Sequence, residues 1–184
     1  MIWKSEFEKY ECNKDWKSAI DFMQENSNAG FTDAEIYIRI IYLLHIVLLE
    51  EDLQIGELEI VETSLKAYYN KSYQIFGEDS EYLFFIGKIL FIAEWYFGLN
   101  DDLKPMEERK AFKMQKKAVD KDPGNNLFEW AVHFSLGHEK AGRLAKQIID
   151  HDNIKVEWLK SKGYPGEYIS QALLQSKDIF EKMS

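Results

Sequence analysis

Thr32-Asp33-Ala34-Glu35-Ile36-Tyr37-Ile38-Arg39-Ile40-Ile41-Tyr42-Leu43-Leu44-His45-Ile46-Val47-Leu48-Leu49-Glu50-Glu51-Asp52 is a stretch that would be apolar on nearly every side of a helix. Ile36, Ile40, Leu43 and Val47 recur at helical spacing along one face, while Ile38, Ile41 and Leu48 fill another. Such a helix belongs in the middle of a helical protein, covered by its neighbours. Thr32-Asp33-Ala34-Glu35 has the capping-box spacing, in which the Thr hydroxyl takes an orphan N–H and the Glu side chain reaches back. Arg39 is expected to pair with Glu35, four residues earlier, and His45 to be a hydrogen-bonded core histidine. The run is too short to cross about 30 Å of hydrocarbon, and it carries Arg39 and His45.

On both sides of this helix the apolar pattern stays helical, and no strict alternation is long enough for a strand. A helix from Lys14 to Glu25 precedes it, with Gly30 at the turn, and the central helix itself runs from Asp33 to about Asp52. Helices follow from Glu57 to Ile75, Ser80 to Phe97, Met106 to Lys121, Asn126 to Leu136 and Glu139 to Asp150. A short segment, Val156 to Lys162, is set off by Gly163 and Pro165-Gly166 from a last helix ending near Met183. The expectation is an all-α fold of stacked antiparallel helix pairs, with about eight helices in an α-solenoid or bundle-like arrangement. Every break is short and rich in turn residues, so residues 1–184 read as a single domain.

Composition narrows the function. The apolar fraction of 46% supports a packed core, and the formal net charge is −9. That charge is uneven: residues 1–102 hold 20 acidic and 8 basic side chains, whereas residues 103–184 hold 12 and 15. An acidic half repels nucleic acid, whose binding runs on phosphate neutralisation by Lys and Arg. A cationic protein partner is the better match. Cys12 is the single cysteine, and no apolar signal segment follows Met1, so a reducing, cytoplasmic setting is expected, with no membrane span. Tyr82 to Leu99, the second apolar stretch, carries Lys88 and Glu94.

No nucleophile elbow, phosphate loop or dinucleotide glycine pattern occurs, so neither a cofactor nor a catalytic residue is assigned. Asp120-Lys121-Asp122-Pro123-Gly124-Asn125 starts like a calcium loop, yet Asn125 stands at the sixth position and Ala131 at the twelfth, so a helix-breaking turn is expected. Glu129 and His133 share a helical face, with His138 close behind, and an enzyme reading would place these three in a pocket. Lys110, Lys113, Lys117 and Lys121 line one side of their helix, as a solvated face or as partners for the acidic half.

The helix Glu57 to Ile75 is expected to turn Leu58, Val61, Leu65, Tyr68 and Ser72 inward. Its other side would present Glu59, Glu62, Tyr69 and Tyr73, tyrosine anchors ringed by carboxylates. Glu50, Glu51, Asp52, Glu78, Asp79, Glu81, Asp101 and Asp102 would add long-range steering toward a basic protein.

Ala111 to Asn125 resembles the second helix and exit turn of a tetratricopeptide repeat, with Ala111, Ala118 and Pro123 at the small-small-proline spacings. Gln115 stands where that motif has a large residue, and about 40 of the 184 residues take part. The resemblance implies helical-hairpin stacking and a protein-binding role, such as a scaffold that reads a peptide in a groove. By size and acidity the chain is also similar to bacterial immunity proteins. That likeness implies neutralisation of a cationic, nuclease-type toxin.

Overall fold

The computed structural model describes residues 2–27, 33–101 and 103–183. Among these residues the chain is helical throughout, without a strand. In order it forms α1 (Ile2–Asn13), α2 (Trp16–Ser27), α3 (Ala34–Glu50), α4 (Ile55–Phe76) and α5 (Ser80–Leu90). Two 3-10 turns follow, Glu94–Phe97 and Met106–Glu108, and then α6 (Lys110–Lys121) and α7 (Asn126–Ser135). The chain closes with α8 (Glu139–His151), α9 (Asn153–Lys160) and α10 (Tyr164–Met183). Successive helices pack in pairs, α1 with α2, α3 with α4, α5 with α6 and α7 with α8, and α10 returns against α8, α9 and α3. None of the described helices is long and apolar enough to cross a membrane.

The apolar α3 does sit centrally, touching α2, α4, α5 and α10. Ile36, Ile40, Leu44 and Val47 are fully buried, and the Tyr42 hydroxyl donates to the Phe85 carbonyl at 2.8 Å. Its cap is Asp33, whose side chain accepts the Glu35 N–H at 3.0 Å. Thr32 and Gly30 lie outside the described residues. Glu35 itself turns to Lys4, Arg39 and Lys162.

Ten α-helices are described where about eight are expected from sequence, for local reasons. The helix expected from Lys14 to Glu25 is α2, and ahead of it α1 occupies residues for which the sequence pattern suggests no helix. In fact Trp3 and Phe7, four apart, put one face of α1 into the core, where Phe7 meets the Phe22 ring edge-on at 6.1 Å. α5 stops at Leu90 rather than Phe97, because the following turn folds Phe97 back onto His45 and Tyr69, at 5.6 and 5.3 Å between ring centroids. The helix expected from Met106 begins at Lys110, after an extended Arg109. Its first N–H groups are met by Asp101, which accepts from Lys110 at 2.7 Å, and by Glu94, which accepts from Ala111 at 3.4 Å. The segment expected at Val156 to Lys162 is α9, started by Asp152, which accepts the Lys155 N–H at 3.0 Å.

Small residues let the pairs approach closely. A Cβ on Gly87 would stand 3.0 Å from the Ala111 carbonyl oxygen, so α5 and α6 meet backbone to backbone there, and Ala111 and Ala118 are fully buried. Gln115, also fully buried, donates to the Gly87 carbonyl at 2.9 Å and accepts from Ser135 at 2.7 Å. One amide thereby ties α5, α6 and α7.

Candidate binding site

The tyrosine and carboxylate stripe read from the sequence does not form one exposed surface. Tyr69 is 4% exposed, and burial raises the pKa of its phenol. The buried line of α4 is Val61, Leu65, Tyr69 and Ser72, while Leu58 is exposed and Tyr68 half-buried. The cause is the turn Glu94–Phe97, which covers the Tyr69 side of the helix. Tyr73 accepts a hydrogen bond from Lys110 at 2.6 Å, with the same ammonium 3.8 Å from its ring centre. Glu59 and Asp52 remain exposed with no ion pair among the described residues.

The other carboxylates of that group have partners inside the chain. Glu62 pairs with Lys66, Glu50 and Glu51 with Lys14, and Glu81 with Lys162. Lys117 and Lys121 both bind Glu78 and hold it down at about 2. Asp79 caps α5 by accepting the Tyr82 N–H at 2.7 Å, and Asp101 pairs with Lys104. Asp102 lies outside the described residues. The basic side of α6 therefore serves the acidic end of α4 and α5.

Of the three residues in the enzyme reading, the two histidines do meet, with Nδ1 atoms 3.2 Å apart, while Glu129 pairs with Lys140 at 3.1 Å. They sit at the surface, His138 exposed and His133 half-buried, and none of them lines the cavity described next. His45 is fully buried as expected but not hydrogen-bonded: neither ring nitrogen has a partner among the described residues. It stacks on Phe97, and burial lowers its pKa to about 4. Asn125 caps α7 by accepting the Leu127 N–H, so the calcium-loop-like segment is spent on a helix start.

A cavity of about 670 Å³ opens between α1, α8, α9 and α10. That volume is in the range of small-molecule sites. Its apolar walls include Val156, Leu159 and Leu173, and α1 contributes Glu8, Glu11 and Cys12. Glu167 also lines it. The one lining ammonium, Lys160, is bound to the exposed Glu157 at 2.7 Å, which leaves the carboxylates in excess.

Behind Glu11 lies Arg39, completely buried. Its guanidinium reaches Glu11 at 3.0 Å, Glu35 at 3.4 Å and Glu8 at 3.7 Å, and stands 5.8 Å from the Trp3 ring centre. Gly163, with φ +64°, packs on it so tightly that a Cβ there would be 2.6 Å from the guanidinium carbon. Burial favours the neutral form of Glu35, but Lys4, Lys162 and Arg39 outweigh it and hold its carboxyl below the usual range. Glu11 goes the other way. Burial pushes it up to about 7 against the pull of Arg39 and the approaching N–H of Tyr164. One Glu11 oxygen is used by Arg39; the other, Oε1, is buried and accepts no hydrogen bond among the described residues.

Glu8 and Glu11 are not among the residues expected from the sequence, where residues 2–13 suggest no helix. The available signal was the spacing of Trp3, Phe7 and Glu11, which puts a carboxylate on the inward stripe of a helix next to an arginine-bearing one. In comparisons with known proteins, no family model, no curated protein and no solved structure matches the chain.

Proposed function

We propose that the chain is a protein-binding helical module whose partner is a basic protein, held on the face formed by α1, α9 and α10. The observation that carries the reading is the cavity lining, where Glu8, Glu11 and Glu167 stand against one ammonium, Lys160, already engaged by Glu157, with Arg39 behind the wall compensating Glu11 and Glu8 in part. A net charge of −9 adds long-range attraction for a cationic partner. The close helical-hairpin packing at Ala111 and Gly87 is consistent with a scaffold of the tetratricopeptide-like kind. The concrete version is an immunity protein that occupies a cationic, nuclease-type active site. The contact face differs from the one suggested by sequence, since Tyr69 is internal and most carboxylates of that stripe are engaged.

The test uses the purified chain and the purified product of its neighbouring reading frame. Association is measured by calorimetry at 50 and 300 mM salt. Binding is expected to weaken steeply with salt, and the double change Glu8→Lys with Glu167→Lys to weaken it at least tenfold while leaving the helical signal intact. Binding that ignores both changes rejects this face.

A further inference from the structure

We infer that the cavity between α1, α8, α9 and α10 is a receptor for an amphipathic organic cation, an ammonium or guanidinium on an apolar stem. The head belongs on Glu11 Oε1, with Glu8 beside it, and the stem against Val156, Leu159 and Leu173. This inference rests on the reading of the α1, α9 and α10 face as the binding face.

Three observations converge. First, a buried carboxylate oxygen without a donor costs free energy in the empty protein, on the order of 1–3 kcal/mol or more for a charged group. Glu11 Oε1 is such an atom, on a side chain that is 4% exposed and belongs to a residue of the cavity wall. Second, Arg39 does not reach Oε1: packed on Gly163, it gives Nη1 to Glu11 Oε2, while its Nε and Nη2 lie near Glu35 and Glu8 without a hydrogen bond among the described residues. A donor arriving from the cavity side would supply the missing bond. Third, the rest of the lining is mainly apolar, so an ion carrying its full hydration shell fits poorly, whereas a cation on a hydrocarbon stem satisfies both parts at once. An anion would face three carboxylates against one lining ammonium and is disfavoured by charge.

The same chemistry can arrive as a free amine or as a Lys or Arg side chain of a bound protein. The experiment therefore uses both. n-Hexylamine, 1-hexanol and hexanoate are titrated into the full chain at pH 8 while backbone amide resonances are followed by NMR. Hexylamine is expected to shift residues 8–12 and 159–167 and to bind at least tenfold more tightly than the alcohol, with hexanoate silent. Glu11→Gln and, as a variant that keeps the closer Arg39–Glu11 pair, Glu8→Gln should each reduce the preference for the amine over the alcohol.

Between pH 8 and pH 6 amine affinity should fall about tenfold as Glu11 takes up a proton. The groups facing Glu11 are Arg39 and Glu35 of α3, Glu8 of α1 and the Tyr164 N–H. A short lysine-containing peptide and its norleucine analogue form the second arm. Shifts at the same residues by the lysine peptide alone identify the ligand as a partner's side chain. Amine binding with no response to peptide or basic protein keeps the receptor but rejects the protein-binding face. Equal binding of amine and alcohol, or shifts elsewhere only, overturns the inference, even if a basic protein still associates.

Discussion

Lys88 of α5 is 2% exposed and ends among rings, 3.6 Å from the centre of Phe134 and 4.7 Å from that of Trp130. No carboxylate pairs with it among the described residues, and burial lowers its pKa to about 7. In the unfolded chain the amine is protonated below about 10.5, so folding must strip part of that charge as pH falls from 10.5 toward 7. The contribution is thus unfavourable at neutral pH, offset in part by the attraction of the rings. Lys88→Met keeps the stem and removes the amine, and urea unfolding at pH 7 should show a gain of roughly 1–3 kcal/mol. A loss would mean that the ring contacts dominate. His45 acts at the acid end. Its folded pKa lies near 4 and its unfolded value near 6.5, so stability drops as pH falls through that window. His45→Phe should flatten the unfolding free energy between pH 6.5 and pH 4, which thermal melts at stepped pH would reveal.

Among elements, the seam between α8 and α10 shows how closely the backbone approach is specified. A Cβ on Gly142 would stand 2.4 Å from the Phe180 Cβ and 3.1 Å from the Ser176 carbonyl oxygen. Gly142→Ala should therefore destabilise by about 1–3 kcal/mol despite the better helix propensity of alanine. Gly56 in α4 has nothing within 4 Å of its Cβ position, and Gly56→Ala should gain up to about 1 kcal/mol. Equal effects in denaturant titrations would contradict the packing described for α8 and α10. Helices were the part of the fold readable in advance, because a stripe such as Ile36, Ile40, Leu43 and Val47 survives in any all-α packing. Their ends were less readable. α5 stops at Leu90 for the sake of contacts that Phe97 makes with His45 and Tyr69, residues from two other helices, and no local pattern encodes them.

For the whole molecule, the contrast between an acidic first part and a basic second part was plain in the sequence, but its meaning was not. Much of it is spent inside the chain: Glu78 meets Lys117 and Lys121, and Glu81 and Glu35 meet Lys162. A charge count cannot tell an internal partner from an external one, because that depends on which helices become neighbours. The cavity was hidden for the same reason. Glu11 and Leu173 are separated by most of the sequence, and only the return of α10 puts them on one wall.

Gly163 and Tyr164, where α9 hands over to α10, close over Arg39 and Glu11 from the opposite end of the sequence. Contacts of such long sequence separation carry a large loop-closure entropy cost. During synthesis the earlier helices can therefore pair as they leave the ribosome, yet the pocket has no far wall until α10 has been made. A fragment truncated before Tyr164 lacks Glu167 and Leu173, so any binding that depends on this cavity should be lost from it.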